Sequence, residues 1–473
     1  MALWTSAEAA KATGGRTVGD WSVDGVSIDT RTIEAGDLFV ALKDVRDGHD
    51  FVAQALEAGA GAALVSRIPD GVTNDAPLLV VDDVLQGLEA LGRAARVRTQ
   101  AKVIGVTGSV GKTSTKEMLR SCLEGQGAVH AAEKSYNNHW GVPLTLARMP
   151  RETDYAVIEI GMNHPGEISP LAQMADLDVA LITIVAPAHL EAFEDISGIA
   201  REKAAIFDGL RDGGVAIVNG DLDVSDLLIS AAPGACQTFG TQDGATWHMQ
   251  QAQQGADCTV CRARHGDETV LFKINAPGAH FAMNGLAALA GCVAAGADLG
   301  QSVIALGQWQ PPKGRGRRHF VRLDVVDERV GIDLFDDAYN ANPASVGAAL
   351  NVLSVIPPPH PRGRRVAILG DMKELGPTEA QLHAELAQLE ATGEIGIFHC
   401  VGPLMKHFYD ALPSEQRGLW AETSSELAAK PSRLVHAGDV VMAKGSLSMK
   451  MAQIVDAIKN LGQAVDNKDE GHR

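Results

Sequence analysis

Val106-Thr107-Gly108-Ser109-Val110-Gly111-Lys112-Thr113 has the residue types of a loop that binds nucleotide phosphates, but not the usual spacing. The common loop places a glycine five residues before the glycine of Gly-Lys-Thr, and in this chain that place is Val106. The remaining parts are present: an apolar run at 103–106, glycines that let backbone N–H groups face an anion, a lysine, a threonine, and a helical pattern over 114–123. A strand feeding a helix N-terminus in this way builds an anion site from oriented amides and the positive end of the helix dipole. The competing reading is a structural glycine turn.

Working outward, 473 residues exceed one core and suggest two to three domains. The composition, 45% hydrophobic and 21% charged, is that of a globular protein. A net charge of −18 argues against a nucleic-acid partner, which calls for a basic face, yet leaves room for an anionic substrate held by a local cluster. The N-terminus lacks the basic start and long apolar core of a signal peptide. The stretch 281–297 is interrupted by Asn284 and by glycines, so it reads as a packed helix and not as a transmembrane segment. The expected location is cytoplasmic. Of six cysteines only Cys258 and Cys261 have ligand-like spacing, with His265 close by, and no second pair completes a zinc site. The thiols are expected to be reduced and incidental.

Three regions separate by pattern. Residues 1–100 mix short strands at 38–42 and 78–81 with an alanine-rich helix at 52–58, and carry no cofactor motif. Residues 101–312 alternate helices with nearly uninterrupted apolar strands at 103–106, 156–160, 179–185 and 215–218. Such strands are typical of a parallel sheet covered on both faces, so a doubly wound α/β domain is expected. The Pro- and Gly-rich stretch 311–318 reads as a hinge. Beyond it, strands at 366–369, 395–398 and 440–443 announce a third, smaller α/β domain over 313–473, with a frayed charged tail after 463.

In open α/β sheets ligands sit beyond the carboxyl ends of the strands. The first strand delivers Lys112, placed for the β and γ phosphates, and Thr113, placed for magnesium. The next delivers Glu159, an acid inside an apolar strand, which is costly unless paired or metal-bound. Magnesium ligation competes there with a buried cap or salt bridge. His189 follows the third strand, and Lys203 lies on a helix fourteen residues later; by position alone these read as a structural histidine and a solvated lysine. In the third domain 336–343, 370–376 and 444–448 are polar clusters at strand ends. Three in one domain suggest a nucleotide or substrate shared between two domains.

With these residues assembled, the chain resembles the Mur ligases, ATP-dependent amide ligases that build the peptidoglycan stem peptide. The resemblance covers nearly the whole chain. Thr107, Gly108, Ser109, Val110, Gly111, Lys112 and Thr113 match the family's phosphate loop, which has no glycine at the place of Val106. Asn137-Asn138-His139-Trp140-Gly141-Val142-Pro143, Glu159, 163–167, His189, Lys203, and His280 with Asn284 fall in family order. The implied fold class is α/β, a three-domain Mur ligase architecture with a central doubly wound phosphate-loop sheet and a Rossmann-like C-terminal domain. Within the family, 337–343 and 370–376 are most similar to the member that joins D-alanyl-D-alanine to UDP-N-acetylmuramoyl-tripeptide. An Asp-Asn-Pro-Arg string, common where a diamino acid is added, is absent.

The resemblance also implies roles. ATP would phosphorylate the tripeptide carboxylate, and the dipeptide amine would displace phosphate. Thr113 and Glu159 would hold one magnesium ion, and His189 with a carbamylated Lys203 a second. Asn284 would read adenine, while Arg315, Asp337, Tyr339 and Asn340 would reach phosphate and ribose. Ser27, Asp29 and Arg31 resemble the UDP-sugar site, and Asn138, Lys444 and Ser446 would contact substrates. Two positions depart from the family: Leu447 stands where an arginine is common, and Ala205 where a glutamate often follows the lysine. The expected partners are the two substrates, with no nucleic acid, and the chain is expected to be a monomer. Rival readings are the same chemistry with another amine, such as meso-diaminopimelate, L-lysine or glutamate, and a phosphate-loop nucleotide switch.

Overall fold

The computed structural model describes residues 2–187, 191–193 and 195–466, which form three main sheets in chain order. The first has five strands, ordered Arg16–Val18, Leu78–Val80, Ala62–Val65, Asp37–Val40, Gly25–Ser27. The last four pair in parallel and the first is antiparallel. Helix Val84–Val97 covers one face with Leu88, Leu91 and Ala95, and it is capped by the Asp83 carboxylate on the Gln86 N–H.

The central sheet has nine strands. Its parallel part runs Val129–Ala131, Tyr155–Glu159, Lys102–Thr107, Leu177–Ile182, Leu210–Asn219, Ala235–Gly240. Tyr155–Glu159, Lys102–Thr107 and Leu177–Ile182 are apolar on both faces because helices cover both. Lys112–Leu123 and Ala279–Ala294 pack on one side, Ile168–Ala175 and Ile196–Ala204 on the other. The chain leaves Lys102–Thr107 toward one side of the sheet and later returns on its other side as Leu177–Ile182, so the phosphate loop opens at the topological switch point. The strand expected over 179–185 ends at Ile182, because Thr183 and Ile184 turn to bind the loop.

The sheet continues where no element was expected. Trp247–Gln254 adds in parallel, then Thr259–His265 and Glu268–Ile274 add antiparallel, with Trp247, Cys261, Ala263 and Phe272 facing the core. Cys261 is thus a core residue, Cys258 precedes the strand, and His265 stacks on Trp247 at 3.9 Å between ring centres. Among the described residues no three His, Cys, Asp or Glu side chains gather as a metal cage, and no helix is long and apolar enough to cross a membrane.

The third sheet orders seven strands: Arg417–Ala421, Ile397–Val401, Arg365–Gly370, Val440–Lys444, Gly331–Asp337, Arg317–Arg322, Gln463–Asp466. The first five are parallel and the last two antiparallel. Gln463–Asp466 corrects the frayed-tail expectation for residues 464–466, since the edge of Arg317–Arg322 offers backbone partners from His319 to Arg322. Part of the expected hinge is likewise a strand, beginning at Arg317.

Candidate functional site

The phosphate loop departs from the common spacing because its glycines work at 108 and 111. Gly108 has φ +151°, and a Cβ there would sit 2.0 Å from Thr183 Oγ1. Gly111 has φ +90°, and a Cβ would sit 2.7 Å from Asn284 Oδ1. Both the backbone angle and the space demand glycine. Val106 is fully buried in its strand, where a side chain packs better than none. Residues just beyond the end of Leu177–Ile182 hold the loop. Thr183 Oγ1 donates to the Val110 carbonyl at 2.6 Å, the Ser109 N–H donates to Ile184 O at 2.6 Å, and Ser109 Oγ donates to Ala186 O at 2.8 Å.

Lys112 opens the helix Lys112–Leu123, and its Nζ donates back to the Gly108 carbonyl at 2.6 Å. Burial lowers its pKa, Glu159 opposes the shift, and Arg315 adds to it. Thr113 Oγ1 donates to Glu159 Oε1 at 3.2 Å and lies 3.0 Å from Ser135 Oγ. Asn137 Nδ2 donates to the same Glu159 oxygen at 2.8 Å. Glu159 is only 2% exposed, and its other oxygen, Oε2, has no hydrogen-bond partner among the described residues. A buried carboxylate oxygen left unsatisfied beside a hydroxyl and a phosphate loop has the donor chemistry magnesium selects.

Lys203, expected by position alone to be solvated, is 2% exposed on helix Ile196–Ala204. Burial drives its pKa well below the ordinary lysine value, and the Lys112 charge pushes in the same direction. His189 lies outside the described residues.

The third domain closes the site. Lys444 Nζ donates to Asp337 Oδ2 at 2.8 Å and to the Asn340 carbonyl at 2.9 Å. Burial raises the Asp337 pKa, and Lys444 holds it back. The Arg315 guanidinium lies over the Tyr339 ring, 4.2 Å from its centre. Ser446 Oγ accepts the Lys373 N–H at 2.9 Å, which ties the segments 370–376 and 444–448 together. The fully buried His383 supports them. Its Nε2 accepts the Met372 N–H at 2.9 Å and its Nδ1–H donates to Glu379 O at 2.6 Å. Glu374, between these anchors, adopts a left-handed φ of +65° at the cleft wall.

A cleft of about 670 Å³ runs between the two domains. Ser109, Val110, Gly111, Lys112, Thr113, Asn138, Glu159 and Asn284 line it from the central domain. Arg315, Asp337, Tyr339, Asn340, Lys444 and Ser446 line it from the third. Leu447 lines the same wall and is 60% exposed.

Six of the expected residues that are described do not line the cleft: Gly108 and Lys203, placed above, and Thr107, Ser27, Asp29 and Arg31. Thr107 is fully buried at the end of its strand, its Oγ1 without a hydrogen-bond partner among the described residues. Ser27, Asp29 and Arg31 sit at and beyond the end of Gly25–Ser27 in the first sheet. There Arg31 Nη2 donates to Asp29 Oδ2 at 2.6 Å, and this pairing holds the Asp29 carboxyl down to about 2. The Lys134 charge contributes to the same lowering, after Arg31. The roles of Ser135 and Asn137 in holding Thr113 and Glu159 were not read from the sequence. Asn137 was visible within the Asn-Asn-His-Trp motif, whereas Ser135 carried no signal.

Comparison with known proteins gives a consistent result. Residues 22–99 match the Mur ligase family, catalytic domain; 106–292 the Mur ligase middle domain; and 321–447 the Mur ligase, glutamate ligase domain. The chain is 35% identical over 446 residues to UDP-N-acetylmuramoyl-tripeptide--D-alanyl-D-alanine ligase of Bacillus subtilis (strain 168), covering 92% of each chain. It is 34% identical to the enzyme of that name from Escherichia coli (strain K12), covering 94% of this chain and 95% of that one. A crystal structure of MurF from Acinetobacter baumannii superposes with a TM-score of 0.83 at 29% identity, over 97% of this chain and 99% of that one.

Proposed function

Because the chain belongs to the Mur ligase family, we infer that it joins D-alanyl-D-alanine to UDP-N-acetylmuramoyl-tripeptide at the expense of ATP, in peptidoglycan precursor synthesis. The observation that carries the site assignment is Glu159, buried beside Thr113 with one carboxylate oxygen held and the other unpartnered.

In the first step a tripeptide carboxylate oxygen attacks the γ-phosphorus of ATP; an O–P bond forms, the bond to ADP breaks, and an acyl phosphate results. In the second the dipeptide amine attacks the acyl carbon. The C–N bond forms, the C–O bond to phosphate breaks, phosphate leaves with the electron pair, and the nitrogen loses a proton. A carboxylate has a poor leaving group, and phosphorylation supplies a good one.

The protein's contribution is positioning and charge neutralisation. The loop amides and Lys112 face the β and γ phosphates. Asn284 and the third-domain group Arg315, Asp337, Tyr339 and Asn340 hold the rest of the nucleotide. Residues 1–100 bind the UDP-sugar through Ser27, Asp29 and Arg31, residues 101–312 bind ATP, and 313–473 present the dipeptide through Lys444 and Ser446. Thr113 and Glu159 would hold one magnesium ion, and His189 with Lys203 a second. Magnesium when bound neutralises charge on the transferring phosphoryl group. Lys203 fits carbamylation, since a buried amine pushed toward its neutral form is nucleophilic toward carbon dioxide, and the product is an anionic oxygen ligand. We place the protein in the cytoplasm as a monomer without a nucleic-acid partner.

The test is an amine panel: D-Ala-D-Ala, meso-diaminopimelate, L-lysine and glutamate, each offered with its acceptor while phosphate release is followed. Release only with D-Ala-D-Ala is expected. Turnover with meso-diaminopimelate but not with the dipeptide would overturn the assignment, and release without any amine would favour a nucleotide switch.

A further inference from the structure

One buried cation has no part in the reaction as described. Lys116 lies on helix Lys112–Leu123 with its side chain fully out of solvent. Its Nζ donates to the Ala132 carbonyl at 2.5 Å and to the Lys134 carbonyl at 3.4 Å, and pairs with Glu117 Oε1 at 2.8 Å. A buried ion pair is a poor source of stability, because apolar side chains of similar volume usually do as well. Its use is better sought in what it fixes.

The two carbonyls belong to the segment 132–138, which leaves the short strand Val129–Ala131. This segment brings Ser135 Oγ to within 3.0 Å of Thr113 Oγ1 and Asn137 Nδ2 to 2.8 Å from Glu159 Oε1. The Asn137 carbonyl accepts the Gly161 N–H at 2.7 Å, just past the strand that carries Glu159. Lys116 lies one turn along the helix from Thr113. One ammonium therefore ties the helix that presents the hydroxyl to the segment that orients both the hydroxyl and the carboxylate.

We propose that Lys116 is a positioning residue for the metal site: it clamps residues 132–138 onto the phosphate-loop helix, so that Ser135 and Asn137 fix Thr113 and one Glu159 oxygen while the other oxygen stays free for magnesium. This rests on the reading of Thr113 and Glu159 as magnesium ligands.

The test measures Mn²⁺ affinity of the full-length protein by electron paramagnetic resonance, with a non-hydrolysable ATP analogue bound, alongside the Mg²⁺ concentration for half-maximal ligation. Lys116→Met is expected to weaken Mn²⁺ binding by about tenfold, the scale for groups that orient metal ligands, and to raise the Mg²⁺ requirement while KM for D-Ala-D-Ala stays constant. A lower melting temperature with unchanged Mn²⁺ affinity would confine Lys116 to fold stability and overturn the proposal. Should Lys116→Met not fold, Glu117→Gln removes the ion partner of Lys116, along with an exposed Arg120 pairing on the same helix, and is expected to weaken Mn²⁺ binding by about twofold to threefold; no change would overturn the proposal equally. Glu159→Gln separates the two readings. If it leaves Mn²⁺ binding intact, the metal site itself is misassigned and the role of Lys116 falls with it. If it weakens binding and the Lys116 and Glu117 variants do not, the clamp alone is wrong.

Discussion

Asn137 and Glu159 are joined by a 2.8 Å hydrogen bond that occupies one carboxylate oxygen and leaves its twin buried and unsatisfied. Thr113 donates to the same occupied oxygen. The carboxylate is thereby oriented before any ligand arrives, and the desolvation of its free oxygen is a standing cost to the fold. Stability and function are opposed at this residue.

That opposition is measurable in Glu159→Gln. The substitution removes a buried charge while keeping the shape, so the melting temperature without metal or nucleotide should stay level or rise. Ligation should fall by about a hundredfold or more, the scale for lost electrostatic stabilisation at a reacting centre. A variant that unfolds easily and keeps its activity would show that the carboxylate is structural.

Lys203 should show its environment through pH. Burial lowers its pKa in the folded chain, so between that value and the ordinary lysine value of 10.5 the unfolded chain carries the extra proton. Stability must rise with pH across that window. In bicarbonate-free buffer the unfolding free energy should climb by at most about 1.4 kcal/mol per pH unit for this group, and Lys203→Met should remove its share. With ¹³C-bicarbonate, a carbamate carbon signal should appear in the wild type and be absent from Lys203→Ala, whose activity should drop by about tenfold to a hundredfold.

The contrast between Lys203 and Lys116 shows what the chain disclosed and what it withheld. Phosphate loop, Glu159 and the third-domain clusters were legible because strand, turn and chemistry-bearing residue adjoin in sequence, and the fold places all such turns at one edge. Burial of a lysine on a helix is decided by elements far away in the chain. The carbonyl partners of Lys116 come from sixteen and eighteen residues downstream, so no local pattern distinguishes it from a solvated lysine. Pairing of Gln463–Asp466 with Arg317–Arg322 was hidden for the same reason. The antiparallel extension was hidden differently: Trp247–Gln254 is half polar because only one face meets the core.

The Asp337–Lys444 pair predicts a double-variant signature. Lys444 is 4% exposed and its ammonium meets Asp337 Oδ2 at 2.8 Å. Lys444→Met should leave the partly buried acid without its ammonium partner, destabilising the protein by about 1 to 3 kcal/mol. Asp337→Asn combined with Lys444→Met removes both charges and should recover most of that loss. KM for ATP should stay high in the double variant, because nucleotide contact depends on the charges themselves. Equal recovery of stability and KM would make the pair purely structural.

Two histidines, the buried His399 and the part-exposed His280 at the cleft wall, should make the fold acid-sensitive. Burial lowers the pKa of His280 and of His399 from 6.5 to about 4, with Lys444 adding to the effect at His280. His399 Nδ1 accepts the Leu419 N–H at 2.9 Å and Nε2–H donates to Leu434 O at 3.0 Å, a pattern only the neutral ring satisfies. Below pH 6.5 the unfolded chain takes up protons that the folded chain refuses, so their contribution is complete above 6.5 and is lost as pH falls toward 4. Each histidine accounts for about 3 kcal/mol over that range. Denaturant unfolding at pH 7, 6, 5 and 4 should show this decline, and His399→Gln should make it shallower, though it lowers stability at pH 7. An undiminished slope in His399→Gln would assign the acid sensitivity to other groups.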